Sequence, residues 1–557
     1  MTEFSEDEVD EHLRELHIKE GEDLARMLAE KYGIPYLNLD TISIDTDSLA
    51  VIPESIARDA GLAVIQIVGR NIKIGLRAPN HDSAQALLED LKRKRYIPQL
   101  FLVSTHSLEK AWEKYKEVST VKAVEEGVVE LRATSDITKA ARTIRSLADL
   151  TNTLSPLLEA KEDRKTSGTL EVLLQGALNL GTSDIHIEAE EKETRLRVRI
   201  DGVLEDVTFF SERIYLLLLS RIKLLSGIKL NIKNRAQDGR FTIRTDDIDI
   251  EVRTSTLPGP HGESIVMRLL NPKTIDIGLK DLGMQDPVRI LVEEELKKPN
   301  GMILTTGPTG SGKTTTLYSF LREVNNTNIN IITIEDPIEY HLTGVNQTQV
   351  NTEKGYDFNN GLRSILRQDP DIILVGEIRD RDTAEIAMHA ALTGHLVFST
   401  LHTNNAPGTI PRLIDLEVDP SIIAPAINIA MAQRLVRRLC EHCKEGYILE
   451  GEELASVKEM VRELPKPYTT PPLSGATIWR AKGCASCNNT GYTGRIGIFE
   501  VFRINDEIEH LILERPSEAD VREAAEKQGM LTMQQDGILK MLAGITSISE
   551  VERVTGE

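Results

Sequence analysis

Apolar residues recur at helical spacing over Asp7 to Tyr32, Asp82 to Arg95 and Leu108 to Glu117, whereas Leu62 to Leu76 alternates apolar and polar positions around Gly69-Arg70-Asn71. The first pattern predicts helices and the second a β-hairpin, so residues 1–118 read as one mixed unit. Residues 119–166 carry little Gly or Pro and many charges, as in Glu159 to Lys165, and read as a helical connector ending in an exposed linker. Residues 167–285 open with a helix to Leu180 and continue with an alternating strand, Glu193 to Ile200, an Asp201-Gly202 turn and a further strand. From Met302 the pattern changes. Met302 to Thr306, Asn330 to Glu335, Asp371 to Val375 and His395 to Leu401 are apolar runs separated by helical stretches. Such alternation predicts a parallel sheet with crossovers, its strands covered on both faces, across residues 286–557. Leu464 to Pro472, with four prolines, is a local loop.

At 557 residues the chain is long enough for several folded units, each with its own core. Its 66 Lys plus Arg against 87 Asp plus Glu leave a formal net charge of −21, which disfavours a general nucleic-acid track. No apolar run approaches the length of a membrane-spanning helix, and Met1 to Asp10 is acidic, unlike a secretory signal, so a cytoplasmic location is expected.

Between the first apolar run and the helix after it lies Gly307-Pro308-Thr309-Gly310-Ser311-Gly312-Lys313-Thr314, a match to G-x-x-x-x-G-K-[ST]. Glycines let backbone N–H groups close around phosphate oxygens, and the helix N-terminus adds its dipole. Lys313 reaches the outer phosphates, the Thr314 hydroxyl can ligate Mg²⁺, and Thr315 completes the expected nucleotide-binding set. Phosphoryl transfer also requires carboxylates near the metal and the attacking water. Glu377 ends the apolar strand Ile372 to Val375 and could hold Mg²⁺ directly or through water; Glu335-Asp336-Pro337-Ile338-Glu339 ends the preceding strand. His395 and His402 bracket Leu396 to Leu401. Their seven-residue separation puts them on opposite faces of a regular strand, which argues against a metal pair; a histidine at a sheet edge can instead sense the nucleotide through hydrogen bonds.

All four cysteines fall in two C-x-x-C pairs, Cys440/Cys443 and Cys484/Cys487, forty residues apart. Four thiolates complete the tetrahedron of a structural zinc site and leave no open position for substrate. Two disulfides, or His442 as a substitute ligand, are the alternatives.

Taken in order, these motifs make the chain similar to the secretion ATPases of type II secretion and type IV pilus assembly. The similarity runs from Ser167 to the C-terminus. Thr182 to Glu188 and Val198 to Leu204 resemble the family's second N-terminal domain, and Gly307 to Thr314 its Walker A loop. Ile334 to Tyr340 resembles its aspartate box, Asp369 to Asp380 its Walker B region, and Thr393 to Thr403 its histidine box. The resemblance implies a multidomain α/β protein: an N-terminal α/β docking domain, an α+β domain, a RecA-like P-loop domain and a tetracysteine zinc subdomain. It makes Glu339 the catalytic glutamate, Glu377 its helper at Mg²⁺ and Glu335 a supporting acid. It also implies a homohexameric ring, using ATP, Mg²⁺ and Zn²⁺, that works on an inner-membrane platform protein. Arg253 and Arg268 match the arginines that the second N-terminal domain brings to the nucleotide, with closure onto a neighbour's catalytic domain expected. Arg363, Arg367, Arg379 and Arg412 match further family arginines. The cysteine module favours an assembly motor over a retraction motor.

Leu28 to Tyr36 resembles the family's first N-terminal domain, which docks on a cytoplasmic adaptor or binds a cyclic dinucleotide. Leu13-Arg14-Glu15-Leu16-His17 lacks the paired Arg-Leu-Gly motifs of the dinucleotide-binding version, so docking is expected. A RecA-like nucleic-acid translocase and a nucleotide-gated scaffold are the rival readings.

Overall fold

The computed structural model describes residues 6–39, 46–49, 51–68, 71–93, 96–116, 127–131, 141–159, 166–272, 277–462 and 464–556. The chain divides into two compact units, Met1–Glu125 and Glu126–Glu557.

In the first unit the hairpin forms between Leu62–Val68 and Asn71–Leu76, with the centre of its turn, residues 69–70, outside the described residues. Helices occupy Glu6–Tyr32, Asp82–Arg93 and Thr105–Glu113; residues 94–95 and 117, expected to extend the last two, also lie outside. A third strand, Ile97–Leu102, runs parallel to Asn71–Leu76 and was not expected. Pro98 hides it, because proline lacks a ladder donor and is tolerated only at an edge, which is where this strand lies. Buried Glu22 ties the long helix to the unit by accepting from the hydroxyls of Ser104 at 2.6 Å, Ser107 at 3.2 Å and Tyr36.

The second unit begins with a seven-stranded sheet in the order Val128–Glu130, Gln237–Arg244, Asp249–Pro258, Glu263–Leu270, Asp184–Ala189, Thr194–Ile200, Val203–Phe210. Within the stretch read as a connector, Val128–Glu130 joins this sheet, and helix Leu147–Glu159 buries Leu150, Leu154 and Leu158 at helical spacing. The exposed linker expected over residues 159–165 falls almost wholly outside the described residues. Inside the sheet layer, Lys223 Nζ lies 2.6 Å from Glu263, both buried, and also donates to the Ile232 carbonyl at 3.0 Å.

The larger sheet has the order Asn346–Gln349, Ile331–Glu335, Ile372–Val375, Leu396–Leu401, Gly301–Thr306, Ile427–Leu439, Tyr492–Arg503. The first six strands are parallel and the last antiparallel. Alternation along each central strand feeds two cores. Met302, Leu304, Ile332, Ile334, Ile373, Val375 and Val397 pack on one face, and Ile303, Ile331, Ile372, Leu374 and Phe398 on the other. The four apolar runs of the sequence are these central strands, buried on both faces because helices cover both. Among the described residues no helix is long and apolar enough to cross a membrane.

Behind the last strand, Lys540 forms a buried ion pair with Asp536, whose carboxylate also accepts from Phe499 N at 2.8 Å and Gln285 Nε2 at 2.8 Å. Desolvation pulls the lysine pKa down against the attraction of Asp536. Replacing Lys540 with Met leaves a buried carboxylate without its cation. The expected cost is about 3–5 kcal/mol, read as a lower urea midpoint by circular dichroism, and an unchanged midpoint would show that Asp536 is held by its neutral donors alone.

Candidate functional site

The strand Gly301–Thr306, buried along its whole length, delivers the chain into the phosphate loop, and helix Lys313–Val324 leaves it. Gly307 and Gly312 have φ of 139° and 93°, in the region that favours glycine. A Cβ on Gly307 would lie 2.6 Å from the Gln433 carbonyl, so the loop is packed against the neighbouring strand. Gln433 is buried and donates from Nε2 to the Ser311 carbonyl at 2.8 Å, which fixes the loop from below. The Lys313 ammonium folds back onto the carbonyls of Gly307 at 2.7 Å and Pro308 at 3.2 Å. Burial lowers its pKa, and the Glu377 carboxylate opposes that shift.

A cleft of about 390 Å³ opens over this loop. Thr309 to Thr315, Glu335, Asp336, Glu339, Glu377, His402 and Arg268 line it. Four consecutive parallel strands, Ile331–Glu335, Ile372–Val375, Leu396–Leu401 and Gly301–Thr306, supply the acids, His402 and the loop from their carboxyl ends, where open α/β sheets bind ligands. Gly307 and Pro308 form the floor beneath Lys313.

The three glutamates differ in environment. Glu335 is buried and accepts from Thr333 Oγ1 at 2.5 Å, Gln347 Nε2 at 3.2 Å and the Tyr318 hydroxyl. Desolvation raises its pKa despite these donors. Both its oxygens are engaged by donors, which suits a supporting role better than taking a proton from water. Glu377 is paired with Arg379 and lies 3.1 Å from His402 Nε2. Glu339 is partly exposed and bonded by Arg253 Nη1 at 3.2 Å, while the same guanidinium donates to the Ile338 carbonyl. Of the Walker B acids, Asp380 is occupied elsewhere: its side chain caps helix Arg381–Leu392 by accepting from Thr383 N at 2.9 Å.

Arg253 and Arg268 stand on adjacent strands, directly opposite one another in the ladder. Arg268 lines the cleft and pairs with Asp184 at 2.9 Å, and Asp184 also meets Arg199 at 3.2 Å. Within this chain Arg268 lines the cleft, and Arg253 meets it through Glu339. Arg379 reaches Glu377, whereas Arg363 bonds Asn359 at 2.8 Å and Arg367 bonds Ser364 at 3.3 Å on their own helical turns. Arg412, on helix Thr409–Asp415, does not line the cleft.

The two histidines separate. His402 is at the carboxyl end of strand Leu396–Leu401 and in the cleft; His395 is at the amino end, its Nδ1 3.0 Å from the Ala390 carbonyl. Seven residues of extended chain span about 23 Å, so both cannot reach one nucleotide. Sequence reasoning missed Tyr318, Gln347, Gln433, Leu435 and Arg495, which reach the loop or cleft through sheet pairing and helix packing rather than through any contiguous motif.

Strands Ile427–Leu439 and Tyr492–Arg503 carry the cysteine pairs at their shared end. The four Sγ atoms lie within 4.8 Å of one another, with Cys440–Cys484 at 3.9 Å and Cys443–Cys487 and Cys484–Cys487 at 3.7 Å. Ligands at about 2.3 Å from a tetrahedral zinc stand about 3.8 Å apart, so the cluster fits that ion. Disulfide sulfurs would stand about 2.05 Å apart, and all four thiols are free. Backbone N–H groups of Cys484 and Gly491 each donate to Cys487 Sγ at 3.2 Å, as expected around a thiolate ligand.

The family model described as Type II/IV secretion system protein matches residues 159–553, and the MshEN domain matches residues 32–120. Type II secretion system protein E of Pseudomonas aeruginosa is 43% identical over 74% of this chain and 80% of its own length. Type IV pilus assembly ATPase PilB of the same organism is 36% identical over 98% of this chain and 92% of its own. PilB of Myxococcus xanthus is 34% identical over 95% and 90%. Among solved structures, ATPase DotB of Yersinia pseudotuberculosis shares the fold, with a TM-score of 0.50 at 20% identity over 72% of this chain and 94% of that one. Family, loop and acids agree: the chain belongs to the type II/IV secretion system family of ATPases.

Proposed function

We propose that the chain is a cytoplasmic homohexameric motor that couples ATP hydrolysis to assembly of type IV pili or type II secretion pseudopili. In this reading it pushes on an inner-membrane platform protein, and its N-terminal unit docks on a cytoplasmic adaptor. The observation that carries it is the cleft itself, where Lys313, Thr314, Glu339, Glu377 and Arg268 converge from two sheets of one chain. Gly307 to Thr315 hold the phosphates. The Thr314 hydroxyl and Glu377 would ligate Mg²⁺, which would neutralise charge on the outer phosphates. Glu339 orients and deprotonates water, and Glu335 steadies its strand end. Arg253 and Arg268 answer the negative charge that spreads over the phosphoryl oxygens. A phosphate competes with Glu339 for Arg253, so binding exchanges the ion pair and frees the carboxylate for water. His402 reports the state of Glu377 through their hydrogen bond.

The experiment is phosphate release by the purified chain, with membranes carrying the platform protein and separately with DNA, alongside light scattering for a particle six times the chain mass. Stimulation by the membranes supports the reading; stimulation by DNA in their place overturns it.

Zinc in the cysteine cluster has a structural task, since four thiolates leave no ligand position for chemistry. Replacing Cys484 with Ser is expected to release the ion and unfold the 440–487 module, because about 10 kcal/mol or more of such binding energy goes into folding. Native mass spectrometry reads the ion and limited proteolysis reads the module. A zinc-free variant that resists protease and keeps its assembly and activity contradicts the assignment.

A further inference from the structure

Gln347 lies on Asn346–Gln349, the edge strand of the larger sheet, where it pairs in register with Thr333. Thr333 and Glu335 share one face of the neighbouring strand, and Gln347 joins them there, which places a polar group at the end of an otherwise apolar strand.

Both ends of the Gln347 amide are engaged. Its Nε2 stands 3.1 Å from the Tyr340 carbonyl, 3.2 Å from Glu335 Oε1 and 3.3 Å from the Tyr318 hydroxyl, and its Oε1 accepts from Leu342 N at 2.7 Å. One side chain thereby joins the strand end to the chain on the far side of Glu339. Tyr340 adds a second clasp: its ring meets that of Tyr318 edge-on, 4.6 Å between centroids, and the Tyr318 hydroxyl donates to Glu335.

Glu339 lies between fixed points. Before it, Arg253 holds the Ile338 carbonyl and the Glu339 carboxylate; after it, Gln347 holds the Tyr340 carbonyl and the Leu342 N–H. The two restraints differ in what the site asks of them. In the proposed function Arg253 gives up Glu339 to meet a phosphate, whereas nothing in that step requires Gln347 to move. An acid that must face water after losing its ion pair needs a backbone that stays in place. We propose that Gln347 is a positioning residue for Glu339, tying loop 336–345 to buried Glu335 so that the Glu339 carboxylate keeps its aim when Arg253 leaves. The inference rests on the reading of Glu339 as the residue that takes a proton from water.

Steady-state and single-turnover hydrolysis by the full chain test it. Gln347→Ala is expected to lower kcat by about 10- to 100-fold, the scale of a misplacement of about 1 Å, with KM for ATP unchanged. In the Glu339→Gln background the same substitution is expected to cost nothing further, because a residue that acts through Glu339 then has nothing left to position. Unchanged kcat overturns the proposal, as does an equal loss in both backgrounds, which would make Gln347 a general support of the sheet edge. Gln347→Glu is the second variant, should the alanine one misfold. It keeps the length and the acceptor for Leu342 N, but sets a carboxyl against Glu335 and the Tyr318 hydroxyl, with Glu339 and Arg253 the next charged groups. Its turnover relative to the unmodified chain is expected to rise as pH falls, since a protonated carboxyl donates to Glu335 as the amide does, and to drop as pH rises and two carboxylates face each other. A pH profile parallel to that of the unmodified chain overturns the donor role. Normal turnover in Glu339→Gln alone would instead remove the reading of Glu339 on which the inference stands.

Discussion

Replacing Lys313 with Ala is expected to lower steady-state ATP turnover by at least about a hundredfold. The ammonium is the cation closest to the loop carbonyls and stands within the field of Glu377. In the proposed function it would leave those carbonyls for the outer phosphates and offset charge that grows in the transition state. Removal of one donor to developing charge costs on the order of 10²–10³ in rate. The fold should tolerate the change, because the bonds lost are to two carbonyls of the same loop. Phosphate release measures the effect and circular dichroism controls for folding. Wild-type turnover in the alanine variant would exclude this loop as the site of hydrolysis.

Glu339→Gln separates chemistry from binding. Glutamine keeps the size and the acceptor oxygen that Arg253 contacts at 3.2 Å, but cannot take a proton from water. Loss of a positioned general base costs about 10²–10⁴ in rate, so turnover should fall close to background while nucleotide affinity survives. A single-turnover measurement with labelled ATP gives the chemical step free of product release. Normal turnover would assign the base elsewhere. Glu335 is the weaker candidate, since three donors already occupy its carboxylate.

How much of this was legible in the sequence depended on distance along the chain. The phosphate loop is contiguous, its backbone demands are local, and the apolar run before it and the helix after it frame it without reference to anything remote. The cysteine cluster was equally readable, because two short knuckles need only a shared strand end to meet. The central strands announced themselves by being apolar on both faces. The strand Ile97–Leu102 did not, as Pro98 speaks against a strand unless the edge position is known. His395 and His402 illustrate a different limit. Both are histidines at strand ends, and only the direction of the strand relative to the loop decides that His402 enters the cleft. The arginines were found through family resemblance, but not their geometry. That Arg253 meets Glu339 of its own chain follows from how two sheets pack, and no spacing in the sequence encodes it.

The ladder between Ile427–Leu439 and Tyr492–Arg503 has a mechanical consequence. Thirteen residues of strand extend about 43 Å at 3.3 Å each, and the two strands are bonded along nearly their full length. The phosphate loop lies beside the middle of this ladder, at Gln433 and Leu435, and one end of the ladder carries the four sulfurs. Such a ribbon behaves as a stiff beam, in which sliding one strand past the other would have to break many bonds together. A displacement imposed near the phosphate loop would therefore arrive at the cysteine end with little lost to bending.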